Sequence, residues 1–152
     1  MGGDTLKLQS PLLRELGTLC RSIQSLMEIR FRRYQLQRGQ FIFLTRICEN
    51  PGIRQTDLTR LCRVDKGTTA KAVRKLLEAG YIRRQHDRED KRAWNVFPTA
   101  AGNVLYGDML AEENRELSIC LQGLSVEEQA VFLEILRKIN QNVEADWISS
   151  CQ

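Results

Sequence analysis

Two short stretches of this chain concentrate side chains able to engage a partner by charge. Residues 86 to 94 read HDREDKRAW, and the seven positions from His86 to Arg92 hold three acids and three bases between two segments that look like paired strands. Residues 66 to 75 read KGTTAKAVRK, which on a helix puts Lys66, Gly67, Ala70, Lys71, Arg74 and Lys75 outward and lets Thr69, Val73, Leu76 and Leu77 face inward. The plain reading of the first stretch is a solvated hairpin tip. The sharper reading is a probe for something negatively charged, since a narrow minor groove attracts an inserted arginine. An arginine at a flexible tip points anywhere unless a neighbouring acid holds its guanidinium by a bidentate contact. Asp90 and Arg92, two apart on one strand face, suit that brace and that probe.

Other chemistries find little support. His86 is the only histidine, and the chain has no GxSxG, no phosphate-cradling glycine loop and no metal-spaced acid pair. No catalytic residues and no cofactor are expected. The five cysteines, Cys20, Cys48, Cys62, Cys120 and Cys151, form no CxxC pair and have no companion histidines at ligand spacing, so no metal site is expected and most read as small core residues. Cys151, next to the last residue, reads as exposed and incidental.

The net charge of +4 conceals a strong asymmetry. Residues 1 to 52 carry 8 bases and 4 acids, residues 53 to 98 carry 12 and 6, and residues 99 to 152 carry 3 and 9. The middle third is therefore the part suited to a polyanion. The longest apolar run, FIFL at 41 to 44, is far short of the roughly 20 residues of a membrane span. The N-terminus MGGDTLKLQSPLL lacks the basic and apolar regions of a secretory signal, so a cytoplasmic location with no membrane partner is expected.

The elements that must position these side chains are helical at both ends. Ser10 and Pro11 open a helix of about six turns whose stripe is Leu12, Leu16, Leu19, Ile23, Leu26, Met27 and Phe31. A second helix carries Phe41, Leu44, Ile47 and Cys48 from Gly39 to the Asn50-Pro51-Gly52 stop. Thr99 caps another long helix with Leu105, Met109, Leu117, Leu121 and Leu124. Ser125 and Glu128 form a capping box before a last stripe of Phe132, Ile135, Leu136, Ile139, Val143 and Trp147. A domain of 152 residues has too little central apolar surface for three such helices, so they are expected to pack on each other and on a second copy of the chain; a monomeric bundle is the alternative.

In the middle, Leu58 and Leu61 mark a short helix, residues 62 to 64 a turn, and Asp65 the cap of the basic helix. Gly80 ends that helix, and strands at 81 to 85 and 93 to 98 flank the charged tip. A short helix, a turn and a basic second helix followed by a hairpin is a winged helix-turn-helix, whose second helix enters the major groove. The expected fold class is mainly α (α+β). Residues 1–37 and 99–152 form a helical dimerisation region and residues 38–98 the winged unit.

At this point the sequence resembles the multiple-antibiotic-resistance regulator (MarR) family. Its wing signature, roughly DPxDRRAxxVxLTxxG, is matched by AspArgGluAspLysArgAla at 87 to 93, Val96, and ProThrAlaAlaGly at 98 to 102. GlnPhe at 40–41, ProGly at 51–52, AspLysGlyThr at 65–68 and LeuLeuGluAlaGlyTyrIle at 76–82 also fall in register, so the match spans about residues 38 to 102. The resemblance implies a homodimeric transcription regulator on a pseudo-palindromic double-stranded DNA operator, a repressor relieved by a small phenolic or otherwise amphipathic effector. The implied DNA contacts are Lys66, Thr68, Thr69, Ala70, Lys71 and Arg74 on the recognition helix and Arg88, Lys91 and Arg92 on the wing, with Asp90 as the brace; Thr69 thus falls in both the inward and the contact set. The chain departs from the family pattern at Gly67 and Ala70, where hydroxyl residues are common, at Arg88, which replaces the usual wing proline, and at Arg54, where Thr or Ser commonly caps the first helix.

An effector would bind where the dimer helices meet the winged unit, and Met27, Arg30, Phe31, Tyr34 and Phe41 combine apolar surface with a cation for a carboxylate; core packing is the plainer reading of each. One branch of the family senses hydroperoxides through a first-helix cysteine, which makes Cys20 a candidate for a redox-sensing alternative, although its neighbours lack the aromatic residues of that branch. A winged helix used for protein contact without DNA is the remaining alternative.

Overall fold

The computed structural model describes residues 8–34, 36 and 39–150. Among the described residues, six α-helices, one 3-10 turn and three strands follow in order, beginning and ending with long helices. Helix α1 spans Leu12–Phe31 and runs into a 3-10 turn at Arg32–Tyr34. Helix α2 is Gln40–Glu49, strand β1 Ile53–Arg54, helix α3 Gln55–Cys62 and helix α4 Lys66–Glu78. Strands β2 (Ile82–His86) and β3 (Trp94–Pro98) form the hairpin, and helices α5 (Ala100–Cys120) and α6 (Val126–Ser150) complete the chain.

Local chemistry explains most boundaries. Ser10 is one residue farther from the helix than an N-cap, yet its Oγ still accepts the Leu12 amide at 3.2 Å. The Asp65 carboxylate accepts the Thr68 amide at 2.8 Å, Thr99 Oγ1 accepts the Gly102 amide at 3.1 Å, and Ser125 with Glu128 closes the expected box in both directions. Gly80, at φ +76, lets the chain leave α4 and enter β2.

The sheet is antiparallel in the order β1-β3-β2, with Ile82 opposite Pro98 and His86 opposite Trp94. Strand β1 escapes the sequence reading because it is only two residues long. It exists because Ile53 and Arg54 lie against Val96 and Asn95 of a strand 40 residues later. The core sits between α2, α3, α4 and the sheet, built on Leu44, Ile47, Leu58, Val73, Leu76 and Val96. Met27 and Phe31 from α1, and Leu105 and Met109 from α5, enter the same core, so the long helices are anchored to the winged unit at one end. Leu61, expected to mark the inner face of α3, is exposed instead. The proposed division between residues 37 and 38 falls outside the described residues, as does Cys151.

The joint between wing and α5 is unusually close. A Cβ on Gly102 would lie 2.1 Å from the Tyr81 carbonyl oxygen, so only glycine fits there. Thr99 stitches the same joint. Its amide donates to Tyr81 O at 3.0 Å and its hydroxyl donates to Gly80 O at 2.7 Å. This accounts physically for the ThrAlaAlaGly run of the wing signature.

Beyond these anchors, and apart from the buried Glu116 of α5, the long helices leave much of their apolar surface exposed. In α1, Leu12, Leu19 and Leu26 are exposed although their stripe is regular; in α5 the same holds for Leu117. Helix α6 buries none of its 25 residues, and Phe132, Ile135 and Val143 stand open. Among the described residues, no helix is long and apolar enough to cross a membrane.

Candidate nucleic-acid interface

Half of the cations of the middle third, Arg54, Lys66, Lys71, Arg74, Arg84 and Arg92, line two adjoining hollows. Helix α4 presents Lys66, Gly67, Ala70, Lys71, Arg74 and Lys75, all exposed, over Thr69, Ala72, Val73 and Leu76, all buried. From Lys66 to Arg74 the stripe is about 12 Å long at the helical rise, the length of three to four base pairs. Arg74 and Lys75 are shared with Glu78, at 3.8 and 3.2 Å. Among the described residues Lys66, Lys71, Arg88, Lys91 and Arg92 form no ion pair and are left to meet an external anion.

Two residues of the expected contact set are otherwise engaged. Thr69 is fully buried, its hydroxyl 2.9 Å from Thr59 Oγ1 and donating to Asp65 O at 3.3 Å, so it joins α3 to α4 and offers nothing to a base. The inward placement is the correct one, because Thr69 lies on the Val73–Leu76 side of the helix. The Thr68 hydroxyl donates to the Asp65 carboxylate as part of the cap. With no hydrogen-bonding side chain at Gly67 and Ala70, the exposed face of α4 offers its lysines, Arg74 and the Ala70 methyl.

The wing is organised by a residue that the sequence reading passed over. The Asp87 carboxylate accepts the amides of Glu89 and Asp90, both at 3.0 Å, and the Asn95 side-chain amide at 3.0 Å, and it faces the Arg54 guanidinium at 3.2 Å. The Asp90 and Glu89 amides first, then Asn95, with Arg54 the smallest influence, hold its carboxyl well below the usual carboxylate range. The brace expected of Asp90 takes another form. Its carboxylate accepts the Arg92 backbone amide at 3.0 Å, because two residues around a turn bring an aspartate to an amide and not to the end of a long side chain. Asp87 folds the tip, Asp90 folds the next turn, and among the described residues the Arg92 guanidinium forms no ion pair. The available signal was an Asp-x-x-Asp run, which builds successive side-chain-to-backbone turns. Helix α3 starts at Arg54 without a side-chain cap, and the Arg54 guanidinium has its role at the wing base instead.

The faces of the wing carry stacked cations. Arg84 lies over the Trp94 ring at 4.3 Å, His86 stacks on the same ring at 3.6 Å, and Arg83 lies over Phe97 at 4.5 Å on the opposite face. Between wing, α3 and α4 is a cleft of about 240 Å³ lined by Arg54, Gln55, Thr56, Thr59, Lys66, Arg92, Ala93 and Trp94. Three cations and the uncapped start of α3 give the cleft a positive potential. A trough of about 340 Å³ along α4, lined by Ala70, Lys71, Arg74 and Arg84 among others, continues the same surface.

The residues considered for an effector are placed differently. Met27, Phe31 and Phe41 are core, with the Phe31 and Phe41 rings 5.5 Å apart. Arg30 is not open to an incoming carboxylate, since it is bonded to the buried Glu116 and faces Glu112 at 3.8 Å. Tyr34 donates to Asp108 at 2.9 Å. These five residues tie α1 and the turn that follows it to α2 and α5. Cys20 is exposed on α1, whereas burial pushes the Cys48 and Cys62 thiols up to about 11. Among the described residues no group of three or more His, Cys, Asp or Glu could hold a metal.

Comparison with known proteins agrees with this geometry. A model of the MarR family matches residues 36–94. The chain is 35% identical over 136 residues to YybA, an HTH-type transcriptional regulator of Bacillus subtilis, covering 90% of this chain and 91% of that protein. A MarR protein from Peptoclostridium difficile superposes with a TM-score of 0.91 at 43% identity, covering 99% of both chains. A Listeria monocytogenes structure described as a MarR family transcriptional regulator complexed with 26mer DNA superposes at 0.87 with 32% identity, covering 90% of this chain and 91% of that one.

Proposed function

Because this chain belongs to the MarR family of transcription regulators, and is not an enzyme, we propose that it acts in the cytoplasm as a homodimeric repressor on a pseudo-palindromic operator, released by a small amphipathic ligand. The observation that carries the DNA reading is the face on which Lys66 and Arg92, free of ion pairs among the described residues, line the 240 Å³ cleft at the start of α3, with Lys71, also free of them, lining the adjoining trough. Helix α4 enters the major groove, the Arg92 tip reaches the adjacent minor groove, and the cleft seats the phosphate between them.

The dimer is supported by α6. A helix of 25 residues with none buried shows Phe132, Ile135 and Val143 to solvent, and α1 likewise exposes Leu12, Leu19 and Leu26, so both leave apolar side chains for a partner to cover. A second copy covering them would place two recognition helices on one face of a duplex. An effector that is a phenol or a carboxylate would act by competing for Tyr34 with Asp108, or for Arg30 with Glu116, at the foot of α1.

The test is a gel-shift titration against DNA from upstream of the gene itself, with scrambled competitor and a salt series. Six to ten phosphate contacts predict an affinity loss of about 10³- to 10⁵-fold between 50 and 200 mM salt. Arg92→Ala is expected to weaken operator binding strongly with the dimer intact. A shallow salt slope and equal binding to both DNAs would favour a protein-contact module instead.

A further inference from the structure

The turn between α3 and α4 holds Arg63 at φ 51, ψ 51, the only non-glycine with positive φ among the described residues. Glycine is the residue that this conformation favours, and an arginine there is conformationally disfavoured. Its guanidinium spans to α6, donating to Asn140 O at 3.3 Å and lying 3.8 Å from Glu144 Oε1. Among the described residues these are the contacts by which α6 is hydrogen-bonded or ion-paired to the winged unit. Both partners are partly exposed, so the pair contributes little to stability, and a stabilising role does not explain the strained residue. Its position does: Arg63 lies three residues before Lys66, the first residue of the recognition helix.

We propose that Arg63 is a positioning residue, a strut between the helix-turn-helix turn and α6 that sets how the recognition helix is presented relative to the dimer helices. The inference rests on the DNA-binding reading above. If α6 belongs to the dimer contact, the separation of two recognition helices is set through Asn140, Glu144 and Arg63. A movement of α6 then changes the fit to two half-sites without changing how one helix meets one half-site.

The full-length protein, Arg63→Gly, Glu144→Gln and the double variant are titrated with a duplex that the unaltered protein selects from a random-sequence pool, and with a duplex cut to one half-site. Glycine suits the turn, so Arg63→Gly folds. Each single variant is expected to weaken the two-half-site duplex about five- to tenfold, leave the half-site duplex unchanged, and speed amide exchange of residues 62–66 in the DNA-free protein. The double variant should be no weaker than the weaker single, since both act on one contact. If Arg63→Gly weakens both duplexes alike while Glu144→Gln changes neither, Arg63 is a phosphate contact and the strut is refuted. Unchanged exchange and affinity in both variants refute it equally. If no duplex is selected, the regulator reading fails on its own, and the exchange of residues 62–66 in Glu144→Gln still decides the strut.

Discussion

Replacing Gly102 by alanine tests the joint on which the wing and α5 turn. In an exposed helix this change removes the flexibility of glycine and stabilises by up to about 1 kcal/mol. Here the new Cβ would sit 2.1 Å from Tyr81 O, against a floor of 3.0 Å for real Cβ contacts, so helix and carbonyl must separate by about 0.9 Å. Tyr81 O also accepts the Thr99 amide, and Gly102 N donates to Thr99 Oγ1, so the separation stretches both bonds. Overpacking at about 1 to 3 kcal/mol and two hydrogen bonds at about 1 each, less the propensity gain, leave a net destabilisation of roughly 2 to 4 kcal/mol. Urea unfolding at fixed protomer concentration measures it. Gly107→Ala is the companion, because nothing lies within 4 Å of its Cβ and it should gain stability. A Gly102→Ala protein as stable as the parent would refute the close approach; a Gly107→Ala protein that loses stability would show that a partner copy meets that face of α5.

Asp87→Asn should loosen the wing tip, and its deficit should depend on pH. Because the Asp87 pKa is lowered in the fold, its stabilisation is present above the ordinary carboxylate value of about 4 and is lost as pH falls through the folded value, so parent and variant should converge in acid unfolding curves; a deficit independent of pH down to about pH 2 would sink the assignment. Ile135→Asp places a charge on the bare face of α6 and should shift sedimentation towards monomer while leaving the hydrogen-exchange pattern of the winged core; an unaltered oligomeric state would remove α6 from the interface. Alkylation at pH 8 followed by peptide mapping should label Cys20 and Cys120 fast and Cys48 and Cys62 slowly, since burial and a pKa of about 11 keep the last two as protonated thiols; equal labelling would contradict their packing.

What the sequence by itself determined is what short-range physics controls. Asp65, Thr99 and the Ser125–Glu128 box bond to amides three residues away, so their caps are legible from spacing, and the 3.6-residue periodicity places the long helices, although the stripe through Leu121 and Leu124 runs past the end of α5 at Cys120. The basic face of α4 and the strands of the wing follow from periodicity in the same way. Tertiary structure decided whatever joins distant residues. Strand β1 is two residues that pair with β3 only once the chain is folded. Arg54 meets Asp87 across 33 positions and Arg30 meets Glu116 across 86, and no local pattern favours either pair over the other acids available. Met27 and Phe31 lie on the same stripe as Leu19 and Leu26, yet the first two are buried and the last two exposed. A helix records in its sequence which face is apolar, and only the arrangement of its neighbours settles how much of that face the chain covers for itself.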